Sequence, residues 1–365
     1  AFYNCVNMTA VNIDAIANIS IIGERAFYNC RSLQRFTVPI KVERLGDSAF
    51  ENCEKMTEID LTAGGKEVML TELGYDVFKG CRSLQGITFP QVFSNNNSDL
   101  DISTFQGCTS LKYIATGTGV ITENGVRDEG NADFNLNDTE TAYKWSNFKA
   151  EMPQGFYLKG PEVAKLHTTA TEKEIPYSYY DRNLSEYVYE LTVGTDPTKV
   201  IYRVTEQGRL VSCEMTGMDT VDIPLVIGPN DVKSIAERTF QDNCALRKIT
   251  IPESINGIEQ NAFKGCHNLE DVIFVNPPED MTIDPGAFKT QQKVGTNHHN
   301  NCSNPKYLEI PNGESKPKSP ILNFVGPISS TAAPFVYAMT PGENINAGEQ
   351  DQTYITYQSG WPTNL

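Results

Sequence analysis

The chain has 365 residues, 39% of them hydrophobic and 10% aromatic, enough for one long repeat array or two ordinary domains with a buried core. Its 46 acidic against 30 basic residues give a formal charge of −16. Such a surface repels phosphate backbones and anionic membranes, which argues against nucleic acid as a partner. No run approaches the roughly 18 apolar residues of a membrane helix, so no membrane insertion is expected in this segment.

The first five residues, Ala1-Phe2-Tyr3-Asn4-Cys5, return letter for letter at Ala26-Phe27-Tyr28-Asn29-Cys30. Ala49-Phe50-Glu51-Asn52-Cys53, Val77-Phe78-Lys79-Gly80-Cys81 and Thr104-Phe105-Gln106-Gly107-Cys108 continue the series. Before the Phe stands an Ile-Gly-like pair, as at Ile22-Gly23, Leu45-Gly46 and Leu73-Gly74. After the Cys comes an alternating strand often closed by Pro, such as Leu33-Gln34-Arg35-Phe36-Thr37-Val38-Pro39. The Phe-to-Phe spacings are 25, 23, 28 and 27. A repeat of that length is one turn of a solenoid. The Gly suits a turn, and Pro suits the end of a strand. Turns about 4.8 Å apart should place each Phe on the Phe of the next turn. Residues 1–115 thus form an N-terminal block of about five repeats, the first truncated. The chain opens inside a repeat and reads as part of a longer protein, with any targeting segment upstream.

Between Phe105 and Phe240 the repeat is lost, and residues 116–219 read as a spacer. Residues 116–140 are rich in Gly, Asn, Asp and Thr and suggest a loop. Trp145, Phe148, Phe156 and Tyr157 follow around a Pro turn. Gly160-Pro161-Glu162 should open a short helix with Val163, Leu166, His167 and Ala170 on one face. Tyr187–Val193 and Val200–Val204 should form a hairpin, with Arg209–Met215 as a third strand.

Val221-Asp222-Ile223-Pro224 restarts the repeat. Thr239-Phe240, Ala262-Phe263-Lys264-Gly265-Cys266 and a degenerate Pro285-Gly286-Ala287-Phe288 make about three more turns over 220–311, with Phe spacings of 23 and 25. Residues 312–365, rich in Pro, Gly, Ser, Thr and Asn, suit a cap or tail, with Tyr354–Tyr357 as an edge strand. Two blocks joined by an irregular spacer can form one continuous stack or two domains; two are favoured.

The pattern Ile-Gly-x-x-Ala-Phe-x-x-Cys-x-x-Leu-x-x-Ile-x-Ile-Pro resembles the BspA-like (LRR_5) class of leucine-rich repeats, over about 1–115 and 220–311. The segment 160–177 also resembles a helical unit of that family. The resemblance implies a right-handed, β-rich leucine-rich-repeat solenoid with short irregular or 3-10 segments and a parallel sheet on its concave face. It also implies export to a bacterial cell surface and a role in adhesion or protein binding. It brings no catalytic residues.

Seven of the nine cysteines share one repeat position: Cys5, Cys30, Cys53, Cys81, Cys108, Cys244 and Cys266. Stacked equivalents have parallel Cβ vectors, whereas a disulfide needs them turned toward each other. The expectation is a ladder of buried free thiols acting as small hydrophobes. Cys213 and Cys302 lie outside it.

No constellation stands out for catalysis, and neither cofactor nor metal is expected. Cys266-His267 is adjacent in sequence, but Cys266 belongs to the ladder. His298, His299 and Cys302 fall in an Asn-rich stretch that reads as a solvated loop. Asp99 and Asp101 with Asn95, Asn96 and Asn97 have the oxygen ligands calcium uses, but the favoured reading is a long, polar inter-repeat loop.

Repeat proteins bind on their extended face. With the apolar strand residues inward, the outward ones are Arg35 and Thr37, Glu58 and Asp60, Gly86 and Thr88, Tyr113, Lys248 and Thr250, Asp271 and Ile273, and Tyr307 and Glu309. Their chemistry does not repeat, which fits an irregular partner, a protein or a branched glycan, bound by a monomer. A second reading is carbohydrate binding through the spacer aromatics Trp145, Phe156, Tyr157, Tyr179 and Tyr180. A third is a structural spacer without a ligand.

Overall fold

A computed structural model describes residues 2–13, 18–62, 69–91, 93–117, 130–138, 142–193, 198–228, 230–266, 268–278, 280–284 and 286–288. It also describes the backbone of four short strands between 307 and 357. The chain is a β-solenoid of about nine turns with few helices. It divides into two compact units, Ala1–Asp181 and Arg182–Leu365.

In the first unit a turn supplies two short strands. One column is built by Ile21–Ile22, Arg44–Leu45 and Glu72–Leu73, parallel and in register. Another pairs Arg35–Thr37 with Glu58–Asp60, and Gly86–Phe89 with Tyr113–Thr116. The alternation read from sequence holds: Phe36, Ile59, Ile87 and Ile114 are buried, while Arg35, Thr37 and Glu58 face solvent. The parallel pairing runs on beyond Thr116 into Tyr157–Lys159 and Tyr177–Asp181. Leu136–Asn137 pairs with Leu100–Asp101, and Phe134 packs on Phe89 with centroids 4.8 Å apart.

The corner Ala-Phe-x-x-Cys is neither helix nor strand. It turns through two left-handed residues per repeat, such as Arg25 and Asn29, Ser48 and Asn52, Asp76 and Gly80, and Asn261 and Gly265. The second of each pair is Asn or Gly here, and Asp at Asp242, the types that tolerate this region. The Gly ahead of the corner has a different role from the expected turn. A Cβ on Gly46 would lie 2.5 Å from the Glu24 nitrogen, and one on Gly74 2.5 Å from the Asp47 nitrogen. Close approach of consecutive turns, not a positive φ, excludes a side chain there.

Each Phe does sit on the next. Phe2–Phe27, Phe27–Phe50, Phe50–Phe78 and Phe78–Phe105 have centroids 5.3, 5.1, 6.2 and 6.2 Å apart. In the second unit Phe240–Phe263 and Phe263–Phe288 are 4.9 and 4.7 Å apart. Beside the rings runs the thiol ladder. Cys30, Cys53, Cys81, Cys108 and Cys266 are buried free thiols. Each is more than a small hydrophobe, because its Sγ–H donates to the carbonyl of the Phe one turn earlier. The Sγ···O distances are 3.0, 3.2, 3.2 and 3.1 Å for Cys30 to Cys108, and 2.9 Å for Cys266 on Phe240. Cys5 is a half-buried free thiol, and Cys213 is buried and free outside the ladder. Cys244 departs from expectation: it is half-buried and disulfide-bonded. Asn243 holds the repeat's Cys position, its N–H donating to Phe240 O at 3.1 Å as the Cys266 N–H does to Phe263 O at 3.2 Å, so Cys244 stands one residue past the buried column. Cys302 lies outside the described residues.

Among the described residues two α-helices interrupt the stack. Helix α1, Trp145–Glu151, packs on the 3-10 turn Ile102–Phe105. There it takes the place of a further corner. The Gly80 N–H donates to Gln106 O of the next turn at 2.8 Å, whereas the Gly107 N–H donates to Glu151 Oε2 at 2.7 Å. Helix α2 is Lys165–Glu172, capped by Ala164, so it begins later than expected. Val163 precedes it and is 84% exposed. The Tyr177 hydroxyl donates to Pro161 O at 2.9 Å, and His167 Nδ1 lies 2.6 Å from Glu162 O. With these carbonyls held by side chains, helical pairing starts from the Ala164 carbonyl instead.

In the second unit, Glu186–Val193, Thr198–Thr205 and Arg209–Thr216 form the expected antiparallel strands. The last leads in parallel to Ser234–Ile235, Gly257–Ile258 and Thr282–Ile283. A second column runs Thr220–Asp222, Lys248–Ile251, Asp271–Phe274, Leu322–Val325 and Ile355–Tyr357.

Phe50 is fully buried between two rings. Phe50→Ala should therefore lower the unfolding free energy by about 3–5 kcal/mol in a urea titration; a loss below about 1 kcal/mol would deny the column its structural weight. Burial also pushes the Cys108 and Cys266 thiols from 9.0 up to about 12. A folded value above the unfolded one gives stability that is complete below pH 9 and lost as pH rises toward 12. The urea midpoint should fall over that window, and fall less in Cys108→Ser, whose hydroxyl does not titrate there.

Candidate functional site

The exposed strand residues gather in rows because the turns are in register. In the first unit Arg35 stands beside Glu58, and Thr37 beside Asp60. The Arg35 Nε–Glu58 Oε2 distance is 3.4 Å with both side chains largely exposed, a pair worth at most about 1 kcal/mol. Asp60 is half-buried and occupied by its own loop: Oδ1 accepts from the Thr62 N–H and hydroxyl, both at 2.8 Å. Thr88, also half-buried, is in register with Ala115.

Tyr113 differs from the outward residue expected. Its ring lies back across Gly86, where a Cβ would come within 2.3 Å of Tyr113 Cζ. It is half-buried, 5.8 Å from the Tyr157 ring, and hydrogen-bonded to Thr88. Burial pushes its phenol up. The absence of a side chain at Gly86 thus turns Tyr113 from a protruding group into a flat paving of the row.

In the second unit Thr220, Lys248 and Asp271 share one row, and Asp222, Thr250 and Ile273 another. Lys248, Thr250 and Asp271 are half-buried. Tyr307 does not join them. Tyr307–Glu309 pairs antiparallel with Ser315–Pro317, and the strand beside Asp271 is Leu322–Val325, which puts Asn323 in the expected place. The first strand after the last corner folds back on its own hairpin, a competing local pairing that repeat spacing does not reveal.

Sequence reasoning missed a second feature of these rows, the alternation of charge between turns. Arg247 lies between Asp219 at 3.9 Å and Glu270 at 2.8 Å. Arg44 meets Glu72 at 3.0 Å, and Arg31 meets Glu54 at 3.7 Å. Arg209 grips Glu259 with two bonds, Nε at 2.6 Å and Nη2 at 2.5 Å. Glu259 also accepts the Glu237 N–H at 3.1 Å, and Arg209 holds its carboxyl below the usual range. For all of these but Arg209–Glu259, acid and base at equivalent repeat positions were the available signal.

The residues considered for chemistry are committed elsewhere. Cys266 is sealed and bonded to Phe240 O. Asp101 is buried and caps the 3-10 turn through the Ser103 N–H at 2.8 Å. Asp99 accepts from Asn135 at 3.0 Å, and Asn95 from the Leu73 N–H at 3.3 Å. Among the described residues no group of three His, Cys, Asp or Glu could hold a metal. His267, His298 and His299 lie outside them. His167 stacks on Tyr177 with centroids 4.3 Å apart. Of the spacer aromatics, Trp145, Phe156, Tyr157 and Tyr179 are buried and Tyr180 is half-buried. The four buried rings belong to the core and offer no face for stacking on a sugar.

The chain matches the model of the BspA type leucine-rich repeat region in 6 copies, over residues 1–124 and 218–315. No curated protein sequence matches it. Among solved structures it is similar to the pneumococcal vaccine antigen PcpA at 14% identity and TM-score 0.20, covering 71% of this chain and 44% of that one. A leucine-rich repeat protein from Eubacterium ventriosum is 17% identical with TM-score 0.25, over 72% of this chain and 60% of that chain. A leucine rich cell surface protein from Faecalibacterium prausnitzii is 16% identical with TM-score 0.23, over 74% and 82%. The chain therefore spans less than two thirds of the first two.

Filling Gly86 tests the paving of the row. Gly86→Val should lift the Tyr113 ring, cost about 1–3 kcal/mol through overpacking and raise nitration of Tyr113 in peptide maps. Unchanged nitration would show that Tyr113 does not depend on the glycine.

Proposed function

The chain belongs to the BspA-type leucine-rich-repeat family, and on that premise we propose that it is a surface-displayed interaction module which holds a protein partner on its exposed strand rows. The family itself points to protein interaction, and repeat folds of this kind are typically non-enzymatic. The observation that carries the reading is the composition of the rows. Arg35, Glu58 and Tyr113 present guanidinium, carboxylate and phenol in the first unit, and Lys248 and Asp271 present ammonium and carboxylate in the second, so paired turns offer different groups.

The charge ladders favour the same partner class. Ion pairs such as Arg35–Glu58 and Arg247–Glu270 break up the field that a polyanion or polycation would follow, and the net charge of −16 disfavours nucleic acid. An irregular polypeptide surface, which meets different groups every few ångströms, suits such a face. Location at a bacterial cell surface and action as an adhesin belong to the same proposal. Among the described residues no helix is long and apolar enough to cross a membrane.

A binding screen against immobilised extracellular-matrix proteins, with a glycan array alongside, tests this. A protein ligand should bind, and Arg35→Glu or Lys248→Glu should weaken it about tenfold, or about 1.4 kcal/mol. A protein ligand indifferent to both substitutions would move the site off the rows. Binding to glycans alone would replace the partner class, and no binding at high micromolar concentration would favour a structural spacer.

A further inference from the structure

The bond between Arg209 and Glu259 breaks the pattern that other ion pairs of the stack follow. Arg31–Glu54, Arg35–Glu58, Arg44–Glu72 and Arg247–Glu270 each join adjacent turns. Arg209 is in register with Ser234, and Ser234 with Gly257. Glu259, just past the Gly257–Ile258 strand, therefore belongs to the layer after next. The guanidinium still reaches it with two bonds, Nε to Oε1 at 2.6 Å and Nη2 to Oε2 at 2.5 Å. Two parallel bonds between planar groups fix direction as well as distance.

The sequence leaves the path clear. Ser234 and Gly257 follow Arg209 along its row, and their side chains are small or absent. The Glu259 carboxylate also meets the middle layer, where it accepts the Glu237 N–H at 3.1 Å. One side chain thus touches both layers before its own.

In a simple repeat stack each turn contacts only its neighbours, so the stack can open at any single interface. Two interfaces meet at the Ser234–Ile235 strand. On one side the Ala236 N–H donates to Leu210 O at 2.8 Å; on the other the Glu259 N–H donates to Ile235 O at 2.9 Å. The Arg209–Glu259 bond spans both. Opening either interface breaks it, and once it is broken the other opens without that cost. The two openings are thereby coupled.

We propose that Arg209 and Glu259 form a latch that makes the antiparallel strands Glu186–Val193, Thr198–Thr205 and Arg209–Thr216 open as one body with the Ser234 and Gly257 layers. The latch joins a part of the second unit that is not built of repeats to the part that is. It is independent of the partner proposed for the strand rows.

Native-state hydrogen exchange reads the two interfaces through the Ala236 and Glu259 amides. The Phe263 amide, which donates to Ala287 O at 2.7 Å, reads the next interface beyond them. Arg209→Met keeps the aliphatic stem and removes the bond. Ala236 and Glu259 should both exchange about fivefold faster, the weight of a well-formed pair between partly exposed side chains, while Phe263 is unchanged. Adding Glu259→Gln should change the rates less than about twofold further, because the two residues act as a unit. Acceleration of one amide alone would make the pair an ordinary contact at one interface and overturn the proposal. So would unchanged rates at both amides, equal acceleration at Phe263, which would show general loosening, or additive effects of the two substitutions.

Discussion

Stacking in register imposes one condition on everything else in this molecule: a residue must be compatible with its own counterpart one turn away. A globular core offers each side chain different neighbours. Here the neighbour along the axis is dictated by the repeat, and the separation by the hydrogen-bonded ladder. Phe meets the condition with near-parallel rings, at interplanar angles of 5° for Phe27–Phe50 and 2° for Phe263–Phe288, with centroids in the range that favours aromatic pairs. Asn meets it by bonding to Asn, as Asn29 does to Asn4 at 2.7 Å. Opposite charges meet it by pairing, as Arg247 does with Glu270 at 2.8 Å.

The same condition decides where sequence could be read. Phe27, Phe50 and Phe78, their cysteines and the inward strand residues were legible, since a buried column tolerates little variation and so repeats its letters. What was not legible lies where the axial neighbour is not a copy. Asn243 takes the Cys position of its turn and leaves Cys244 one residue beyond it. Tyr307 enters a hairpin with Ser315–Pro317 rather than the row. The start of α2 is set by Tyr177 and His167 holding the carbonyls of Pro161 and Glu162. Each outcome depends on a contact that the repeat does not specify. The glycines before the corners were recognised as necessary but for the wrong reason, because a letter shows that a side chain is excluded without showing whether conformation or crowding excludes it.

The candidate site was legible in part. Period two separated outward from inward residues correctly over Arg35–Thr37 and Lys248–Ile251. It did not show that Tyr113 would lie down across Gly86, since that depends on two residues 27 positions apart in sequence and adjacent in space. Nor did it rank the rows by freedom. Asp60 is bound to its own loop, whereas Arg35 and Glu58 project from the sheet. Recognition by a solenoid rests on such local departures from the repeat: the buried columns make the scaffold uniform, and the outward positions, freed from packing, are where individuality accumulates.

The thiol columns carry a consequence for how the molecule comes to grief. While the turns are closed, burial holds the thiols protonated and out of reach, so an oxidant has no thiolate to attack. Once several turns open together, cysteines at matching positions are released into one loose chain, free to join in pairings that the parallel column forbids. Any such bond ties non-neighbouring turns and blocks restacking. In an oxidising medium, opening the column becomes a ratchet, and the lifetime of the protein is set by how rarely it opens rather than by how favourably it closes.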